Sequence, residues 1–235
     1  MNPHAAHLAV LAGRGDYTDN LFYLNRGEFH GTAFCIAPHF FITAAHVYQA
    51  AAENGAVALG RLGPEKPQIQ LVRDAEVYED IDLALLHCPN LGAEILPVNF
   101  AALTWLTDVV AFGYAFGLEL ADLPGQPHVY QLRAFKGHVI NRRGLTQLRG
   151  VPPGYEVSFV PPPGLSGAPL LFSVGDSPAV TGIVLKHHSA ELAGRHMDLG
   201  LVLDSEELLT LESRLVGGSI AERLFRRERI PPRNR

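Results

Sequence analysis

The chain has 235 residues, of which 47% are hydrophobic and 18% are charged, and its formal net charge at pH 7 is −5. This composition is too apolar for a disordered protein and supplies enough apolar side chains for one large core or two small ones. The negative charge provides no general attraction to nucleic acid or anionic lipid, so neither is an expected partner.

The chain contains two cysteines, Cys35 and Cys88, each within an apolar run. A secreted protein of this size usually carries several cysteine pairs, so we expect two buried thiols in a reducing compartment, with a disulfide between them as the alternative. No stretch approaches the roughly 18 apolar residues of a membrane span, and the first residues lack the basic leader of a signal peptide. These features predict a cytoplasmic protein without a membrane partner.

Short apolar runs bounded by Gly, Pro, Asn or Asp occur along most of the chain and predict strands. Their number and even spacing favour a β-barrel or sandwich over alternating strands and helices. In chain order, the predicted strands are 8–12, 32–36, 40–43, 68–72, 82–87, 109–113, 129–134, 137–140, 155–160, 169–172, 180–185 and 200–203.

Helical patterns are confined mainly to the C-terminal end of the chain. Capping boxes at 204–207 and 219–222 precede apolar runs and predict helices over 208–215 and 223–229, and a short helix is expected over 44–52. The Arg-rich end of the chain is interpreted as a solvated helix face and frayed end, with docking of an acidic partner or nucleic acid as the alternative. The predicted domains are a first β lobe at 1–103, a second β lobe at 104–204 and a helical tail at 205–235.

A histidine stands where one of the predicted strands ends. In Phe41-Ile42-Thr43-Ala44-Ala45-His46, an apolar strand runs into small residues and delivers an imidazole. Such a ring can stand at the edge of a lobe with one nitrogen toward a partner and the other toward solvent. A single histidine is more often a surface residue than a catalyst, so this pattern needs further support.

An aspartate begins the next strongly apolar strand. Asp82 precedes Leu83-Ala84-Leu85-Leu86, so its carboxylate is expected to be partly buried and to need a donor, for which a histidine N–H is suitable. The alternative interpretation is capping of the strand edge by Asp80 and Asp82 together.

A serine lies between two glycines in a proline-rich loop. In Gly164-Leu165-Ser166-Gly167, the glycines allow backbone conformations that other residues rarely adopt. Such a turn can aim the N–H groups of Gly164 and Ser166 at one point, as an oxyanion site requires. A loop in which Ser166 is only a small polar filler is the alternative.

Together these segments resemble the three signature motifs of trypsin-like (chymotrypsin-fold) serine proteases, in that family's order of His, Asp, Ser. The flanking segments 31–34, 109–114, 182–185 and 200–203 extend the resemblance over residues 8–215. An α/β-hydrolase would require G-x-S-x-G and the order Ser, Asp, His, whereas Ala168 occupies the final glycine position here.

The resemblance implies an all-β fold of two six-stranded antiparallel β-barrels with a C-terminal helical tail. It implies a serine endopeptidase in which Ser166 attacks the scissile carbonyl, His46 is the base and Asp82 orients it. The backbone N–H groups of Gly164 and Ser166 form the implied oxyanion hole, and neither a cofactor nor a metal is expected. A non-catalytic, protease-like module that binds peptides without cutting them is the alternative function.

The implied substrate is a polypeptide. Val160 and Pro163 form one expected wall of the substrate site, and the segment Leu185-Lys186-His187 forms the other. No acidic residue lies at the base of this pocket, so an apolar or small P1 side chain is expected.

Leu165 stands where secreted digestive members carry an aspartate that pairs with a new N-terminus. Activation by propeptide cleavage is therefore not expected, and loop ordering or a regulatory protein partner is the expected control.

Overall fold

The computed structural model describes residues 8–12, 29–53, 55–61, 68–91, 93–115, 132–144, 152–174, 177–192 and 195–225. The strands are β1 (Leu8–Ala12), β2 (Phe29–Ala37), β3 (Phe40–Ala44), β4 (Ala58–Arg61), β5 (Gln68–Leu71), β6 (Asp74–Tyr78), β7 (Leu83–His87), β8 (Asp108–Gly113), β9 (Arg133–Arg143), β10 (Gly154–Val157), β11 (Pro169–Val174), β12 (Ser177–Leu192), β13 (Arg195–Asp204), β14 (Glu212–Ser213) and β15 (Gly218–Ser219). The helices are α1 (Ala45–Glu53) and α2 (Ile220–Phe225), with short 3₁₀ helices at Glu79–Ile81 and Ser205–Leu209.

Two antiparallel sheets account for most of these strands. The first half of the chain forms a seven-stranded sheet in the order β5-β4-β1-β2-β3-β7-β6, and the second half forms a closed barrel in the order β10-β13-β12-β11-β8-β9. The expectation of an all-β fold with a six-stranded barrel is therefore confirmed. A second closed barrel is not found among the described residues, where the end strands β5 and β6 of the first sheet are not hydrogen-bonded to each other.

Apolar packing joins the two sheets. Strands β3 and β7 of the first sheet are almost entirely buried, and they belong to one core cluster with side chains of the second sheet, including Leu171, Ile183 and Leu203. Val47 and Ala51 of helix α1, which follows β3 directly, belong to the same core cluster. The predicted domain boundaries at 103 and 204 stay predictions.

Several predicted elements differ from the observed ones. Strand β9 replaces the second of two predicted short strands and part of the first, and β12 extends to 16 residues where 180–185 was predicted. The short strand β4 and the largely polar strand β6 have no clear pattern in the sequence. The helix predicted over 44–52 is confirmed as α1.

The helix predicted over 208–215 is wrong. Asp204 does cap a helical turn, since its carboxylate accepts a hydrogen bond from the backbone N–H of Glu206 at 3.0 Å, but the turn is a 3₁₀ helix that ends at Leu209. The chain then forms the hairpin β14–β15, because Ser213 and Arg214 bind the carboxylate of Glu76 in the first sheet. Helix α2 lies in the predicted tail, and residues 226–229 of the second predicted helix lie outside the described residues.

Both cysteines are buried and neither forms a disulfide, as predicted for two thiols. Burial raises the pKa of the Cys35 thiol to about 12 and that of the Cys88 thiol to about 11. Among the described residues, no helix has the length and apolar character needed to cross a membrane.

Candidate active site

His46 and Asp82 are brought together by the ends of two neighbouring strands. Strand β3 ends at Ala44 and pairs with the first residue of β7, Leu83, so the residues that follow β3 meet those that precede β7. The backbone N–H of Ala45 donates to the carbonyl oxygen of Asp82 at 3.1 Å. His46 is the second residue of α1, so the first turn of this helix lies directly beside Asp82.

The backbone of Asp82 adopts a left-handed conformation, with φ of 55° and ψ of 47°. It terminates the 3₁₀ helix Glu79–Ile81, and its N–H donates to the carbonyl oxygen of Glu79 at 3.2 Å. A non-glycine residue in this region is uncommon and carries a conformational cost. Asp82 thus precedes β7 rather than beginning it as predicted, and this geometry directs its carboxylate toward α1.

The Asp82 carboxylate makes three short contacts with His46. Its oxygens lie 3.0 Å and 2.9 Å from Nδ1 of the ring, and Oδ1 also accepts a hydrogen bond from the His46 backbone N–H at 3.0 Å. The aspartate side chain is 21% exposed and the histidine side chain 45% exposed. The arrangement places a proton on Nδ1 and leaves Nε2 as the basic nitrogen.

Ser166 lies in two consecutive tight turns. The N–H of Leu165 donates to the carbonyl of Pro162 at 3.1 Å, and the N–H of Ala168 donates to the carbonyl of Leu165 at 3.0 Å. The third residue of each turn is a glycine with positive φ, 87° at Gly164 and 82° at Gly167. This is the type II pattern, in which the third position favours glycine.

Thr32, in β2 of the first sheet, anchors both turns. Its Oγ1 donates to the carbonyl of Gly164 at 2.9 Å and accepts from the backbone N–H of Tyr114 at 3.0 Å, while its N–H donates to the carbonyl of Ser166 at 2.9 Å. Thr32 is fully buried. The sequence motifs predict no role for Thr32, whose only signal is a hydroxyl within the otherwise apolar strand Gly31-Thr32-Ala33-Phe34.

Close packing at Gly167 completes the junction between the serine turn and the first sheet. A β-carbon at this position would lie 2.1 Å from the carbonyl oxygen of Thr32 and 2.3 Å from Oγ1 of Thr43. The hydroxyl of Thr43 donates to the same Thr32 oxygen at 2.8 Å. Glycine is therefore required at 167 both by the positive φ and by the lack of space.

Leu165, which precedes the serine, is completely buried in the core of the barrel. Its side chain packs close to Gly113 of β8, where an added β-carbon would lie 2.8 Å from Cδ1 of Leu165. The same core cluster also includes Ala111, Ala168 and Val184. The serine turn is therefore held by the apolar packing of Leu165 in the barrel core and by the hydrogen bonds of Thr32.

The N–H groups of Gly164 and Ser166 donate to no other described residue. Within the described part of the chain, no hydrogen bond joins the Ser166 hydroxyl to His46; the side-chain contacts of His46 are those with Asp82. The serine turn continues onto β12, because the N–H of Gly167 donates to the carbonyl of Val184 at 2.7 Å. Leu185 and Lys186 follow Val184 directly.

A cleft of about 670 Å³ opens beside His46. Leu185 and Lys186 of the barrel line this cleft, so two of the predicted substrate-binding residues share one cavity with His46 and Asp82. Val160, Pro163 and His187 do not line this cavity, and Val160 is 46% exposed. No group of three or more His, Cys, Asp or Glu residues suited to a metal occurs among the described residues. The lining consists of Ala45, His46, Gln49, Glu79, Asp80, Asp82, Pro152, Leu185 and Lys186.

Solved protease structures have the same fold as this chain. The inactive form of a serine-to-alanine variant of Rv3671c from M. tuberculosis H37Rv is 20% identical, with a TM-score of 0.58 over 93% of this chain and 86% of that chain. The active form of the Rv3671c protease is also 20% identical, with a TM-score of 0.59 over 87% of this chain and 78% of that chain. The chain has the trypsin-like serine protease fold.

The HtrA-type protease AlgW, solved as a serine-to-alanine variant with a tripeptide, shares this fold at 16% identity and a TM-score of 0.59. The match covers 86% of this chain and 57% of that chain. No protein-family model and no curated protein matches the chain. The fold inferred from three short motifs is thus confirmed by structural similarity, although identity is low throughout.

Proposed function

We propose that the chain is a serine endopeptidase in which Ser166 is the nucleophile, His46 the general base and Asp82 the carboxylate that orients His46. The observation that carries this proposal is the pairing of the Asp82 carboxylate with Nδ1 of His46 at 2.9 Å beside an interlobe cleft in a trypsin-like fold. A carboxylate on Nδ1 keeps Nε2 free to accept a proton and stabilises the imidazolium that then forms.

The reaction that follows from these roles is acyl transfer to Ser166. His46 takes the hydroxyl proton as the serine oxygen attacks the scissile carbonyl, and it later returns a proton to the leaving amine. The N–H groups of Gly164 and Ser166, which are not used by other described residues, would donate to the oxyanion. Water then attacks the acyl-enzyme and releases the second product.

The proposed substrate is a polypeptide with an apolar or small P1 side chain. The residues that line the cleft from the barrel side are Pro152, Leu185 and Lys186, none of which is acidic, so a basic P1 side chain finds no carboxylate on that side. Val160, Pro163 and His187 are proposed as further contacts of the substrate outside this cavity. We also propose that 1–103 and 104–204 act as the two lobes, with 205–235 as a tail, and that no cofactor takes part.

A non-catalytic peptide-binding module is the second candidate. The observation in its favour is that the Ser166 hydroxyl makes no hydrogen bond to His46 within the described residues. In catalytic sites of this kind the pair is often loose without substrate and tightens when substrate binds, so an active enzyme accounts for the same geometry.

Labelling with a fluorophosphonate probe distinguishes the two candidates. We expect the wild-type protein to gain the mass of one probe on Ser166, and to cleave unfolded polypeptides that Ser166→Ala leaves intact. Loss of a triad nucleophile typically lowers kcat by about 10⁶. Ser158→Ala, which removes an exposed hydroxyl bonded to His138, is the matched control and should label normally. Cleavage by Ser166→Ala at the wild-type rate would contradict the assignment of Ser166 as the nucleophile.

A further inference from the structure

Arg143, the last residue of β9, is a buried cation whose hydrogen bonds all go to backbone carbonyls. It is 3% exposed, and its guanidinium donates to the carbonyls of Pro152 at 2.7 Å, Val202 at 3.1 Å and Tyr155 at 3.4 Å. Its Nε–H has no hydrogen-bond partner among the described residues. Burial lowers the pKa of the guanidinium, and the charge of Glu156 offsets part of this effect. A buried charge that keeps an unused donor is costly, which points to a role other than stability.

The neighbouring arginine has ordinary partners. Arg142 binds the carboxylate of Glu206 at 2.8 Å and that of Asp204 at 3.4 Å, and its side chain is 43% exposed. Arg142 therefore pairs with opposite charges near the surface, whereas Arg143 holds backbone segments inside the barrel.

The segment that Arg143 holds cannot be fixed by its own N–H groups. Pro152 and Pro153 lead into β10, and proline has no backbone N–H. Only their carbonyls can tie this segment to the barrel by backbone hydrogen bonds. The carbonyl of Pro153 accepts from the N–H of Asp204 at 3.3 Å, and among the described residues the carbonyl of Pro152 accepts only from Arg143. The guanidinium is therefore the hydrogen-bonding anchor of Pro152.

The other two carbonyls fix the guanidinium itself. Tyr155 and Val202 face each other in the ladder of β10 and β13. A β-carbon at Gly154 would lie 1.9 Å from the carbonyl oxygen of Val202, so the backbone of β10 packs tightly against an acceptor of Arg143. A planar guanidinium reaches acceptors on several segments at once, which the compact ammonium of lysine does less well. Arg143 thus connects Pro152 to the rigid part of the barrel.

Pro152 lines the cleft beside His46. It is one of three lining residues from the second half of the chain, together with Leu185 and Lys186. The other lining residues belong to the first half of the chain and include Asp80. The position of the Pro152 backbone therefore helps to set the width of the cleft between the two sheets.

We propose that Arg143 is a positioning residue for substrate binding, which holds Pro152 in place as a rigid wall of the cleft. The inference rests on the proposed endopeptidase function and places a segment of the polypeptide substrate in contact with Pro152. A preformed wall reduces the ordering that binding would otherwise require. Arg143 contacts no reacting atom, so it acts on substrate affinity and leaves the chemical step at Ser166 unchanged.

The separate effects on KM and kcat provide the first test. Arg143→Lys keeps the positive charge but loses the planar fork that reaches three segments. With fluorescein-labelled casein as an unfolded substrate, we expect KM to rise by at least about fivefold, while kcat per probe-labelled site stays within about twofold of wild type. Arg142→Lys is the matched control and should keep the wild-type KM, because its partners do not line the cleft. An unchanged KM in Arg143→Lys would overturn the proposal.

Fluorophosphonate labelling distinguishes positioning from a merely structural role. A structural role would lower the fraction of protein that folds and takes up the probe, and the KM of the labelled fraction would keep its wild-type value. Positioning predicts the reverse, with full labelling at the wild-type rate and a raised KM, because the small probe reaches Ser166 without the Pro152 wall. Reduced labelling with a wild-type KM would therefore contradict the proposal.

A second variant alters the wall and leaves Arg143 in place. Pro152→Gly keeps the carbonyl but loses the ring and the fixed φ of proline, so KM should rise as it does in Arg143→Lys. The effects of the two substitutions on KM should be strongly non-additive in the double variant, because both act through the same wall. Independent effects, or a wild-type KM in Pro152→Gly, would overturn the proposal, and the single variant decides even if Arg143→Lys does not fold.

Binding to Ser166→Ala separates this inference from the proposed function. Fluorescence anisotropy of the labelled casein measures Kd without cleavage. Weaker binding when Arg143→Lys is added to Ser166→Ala, but not when Arg142→Lys is added, supports the role of Arg143 even if the wild-type protein cleaves nothing. Equal binding by all three proteins contradicts that role and leaves the endopeptidase assignment intact if the wild-type protein is active.

Discussion

Oδ1 of Asp82 accepts two hydrogen bonds from a single residue, one from the backbone N–H of His46 at 3.0 Å and one from its ring Nδ1 at 3.0 Å. The backbone bond fixes the start of helix α1 relative to the carboxylate, and the ring bond fixes the orientation of the imidazole. The position of the helix and the tautomer of the histidine are therefore coupled through one oxygen atom.

Replacement of Asp82 by asparagine should retain the fold and remove the activity. The amide can still accept the backbone hydrogen bond, but its NH₂ favours the tautomer with the proton on Nε2, so we expect kcat to fall by about 10⁴. Peptide hydrolysis at saturating substrate measures the effect. Asp80→Asn changes a carboxylate of the same cleft that does not contact His46 and serves as the control. A larger loss in Asp80→Asn than in Asp82→Asn would show that the wrong aspartate has been assigned.

Leu165→Asp should abolish probe labelling although His46, Asp82 and Ser166 remain. The variant places a carboxylate without a partner in the apolar core below the serine turn, at a cost of a few kcal/mol unless the turn rearranges. Fluorophosphonate labelling of intact protein reports the outcome. Leu165→Met conserves volume and should label like wild type, since such changes usually cost less than about 1.5 kcal/mol. Normal labelling of the aspartate variant would mean that burial of Leu165 does not hold the turn.

Gly167→Ala should destabilise the protein by more than about 2 kcal/mol, because a side chain at positive φ is strained and the added methyl meets the Thr32 carbonyl. Urea denaturation gives the free energy of unfolding. Gly144→Ala is the matched control, since nothing lies within 4 Å of a β-carbon at that position. Equal stability of the two variants would contradict the close contact between the serine turn and β2.

The Glu76 carboxylate should make the attachment of the C-terminal segment dependent on pH. Burial alone would raise its pKa, but hydrogen bonds from Ser213 and from the Arg214 side chain and backbone outweigh burial and lower the pKa to about 2. A carboxylate with a lowered pKa stabilises the fold above its ordinary value of 4.5, and this contribution is lost as the pH falls toward 2.

Glu76→Gln should therefore lower the free energy of unfolding at pH 6, and the difference from wild type should shrink between about pH 4.5 and pH 2. Urea denaturation at several pH values measures both quantities. Glu53→Gln, at the exposed end of α1, is the control and should leave the stability unchanged. A constant difference across this range would show that Glu76 acts by packing rather than by charge.

The motifs that led to the fold were readable from the sequence because they are local. An apolar strand ending in Ala-Ala-His46, an aspartate before an apolar strand and a serine between glycines each express their backbone preference within a few residues. The helix after β3, the buried thiols and most strand positions followed from such patterns, and the trypsin-like fold followed from the family resemblance that the three motifs carry. The pairing of Asp82 with His46 was also inferred, as a consequence of the family resemblance.

Features that depend on distant partners were not readable. Asp82 adopts a left-handed conformation and is not part of β7, because the preceding 3₁₀ turn and the N–H groups of α1 hold it in that position. Thr32 became an anchor only when β2 met the serine turn, 132 residues away from it at Gly164. The segment after Leu209 has a helical pattern, but its hydrogen bonds to Glu76 draw it into a hairpin. Local propensities are worth only a fraction of a kcal/mol per residue, so contacts between distant segments override them.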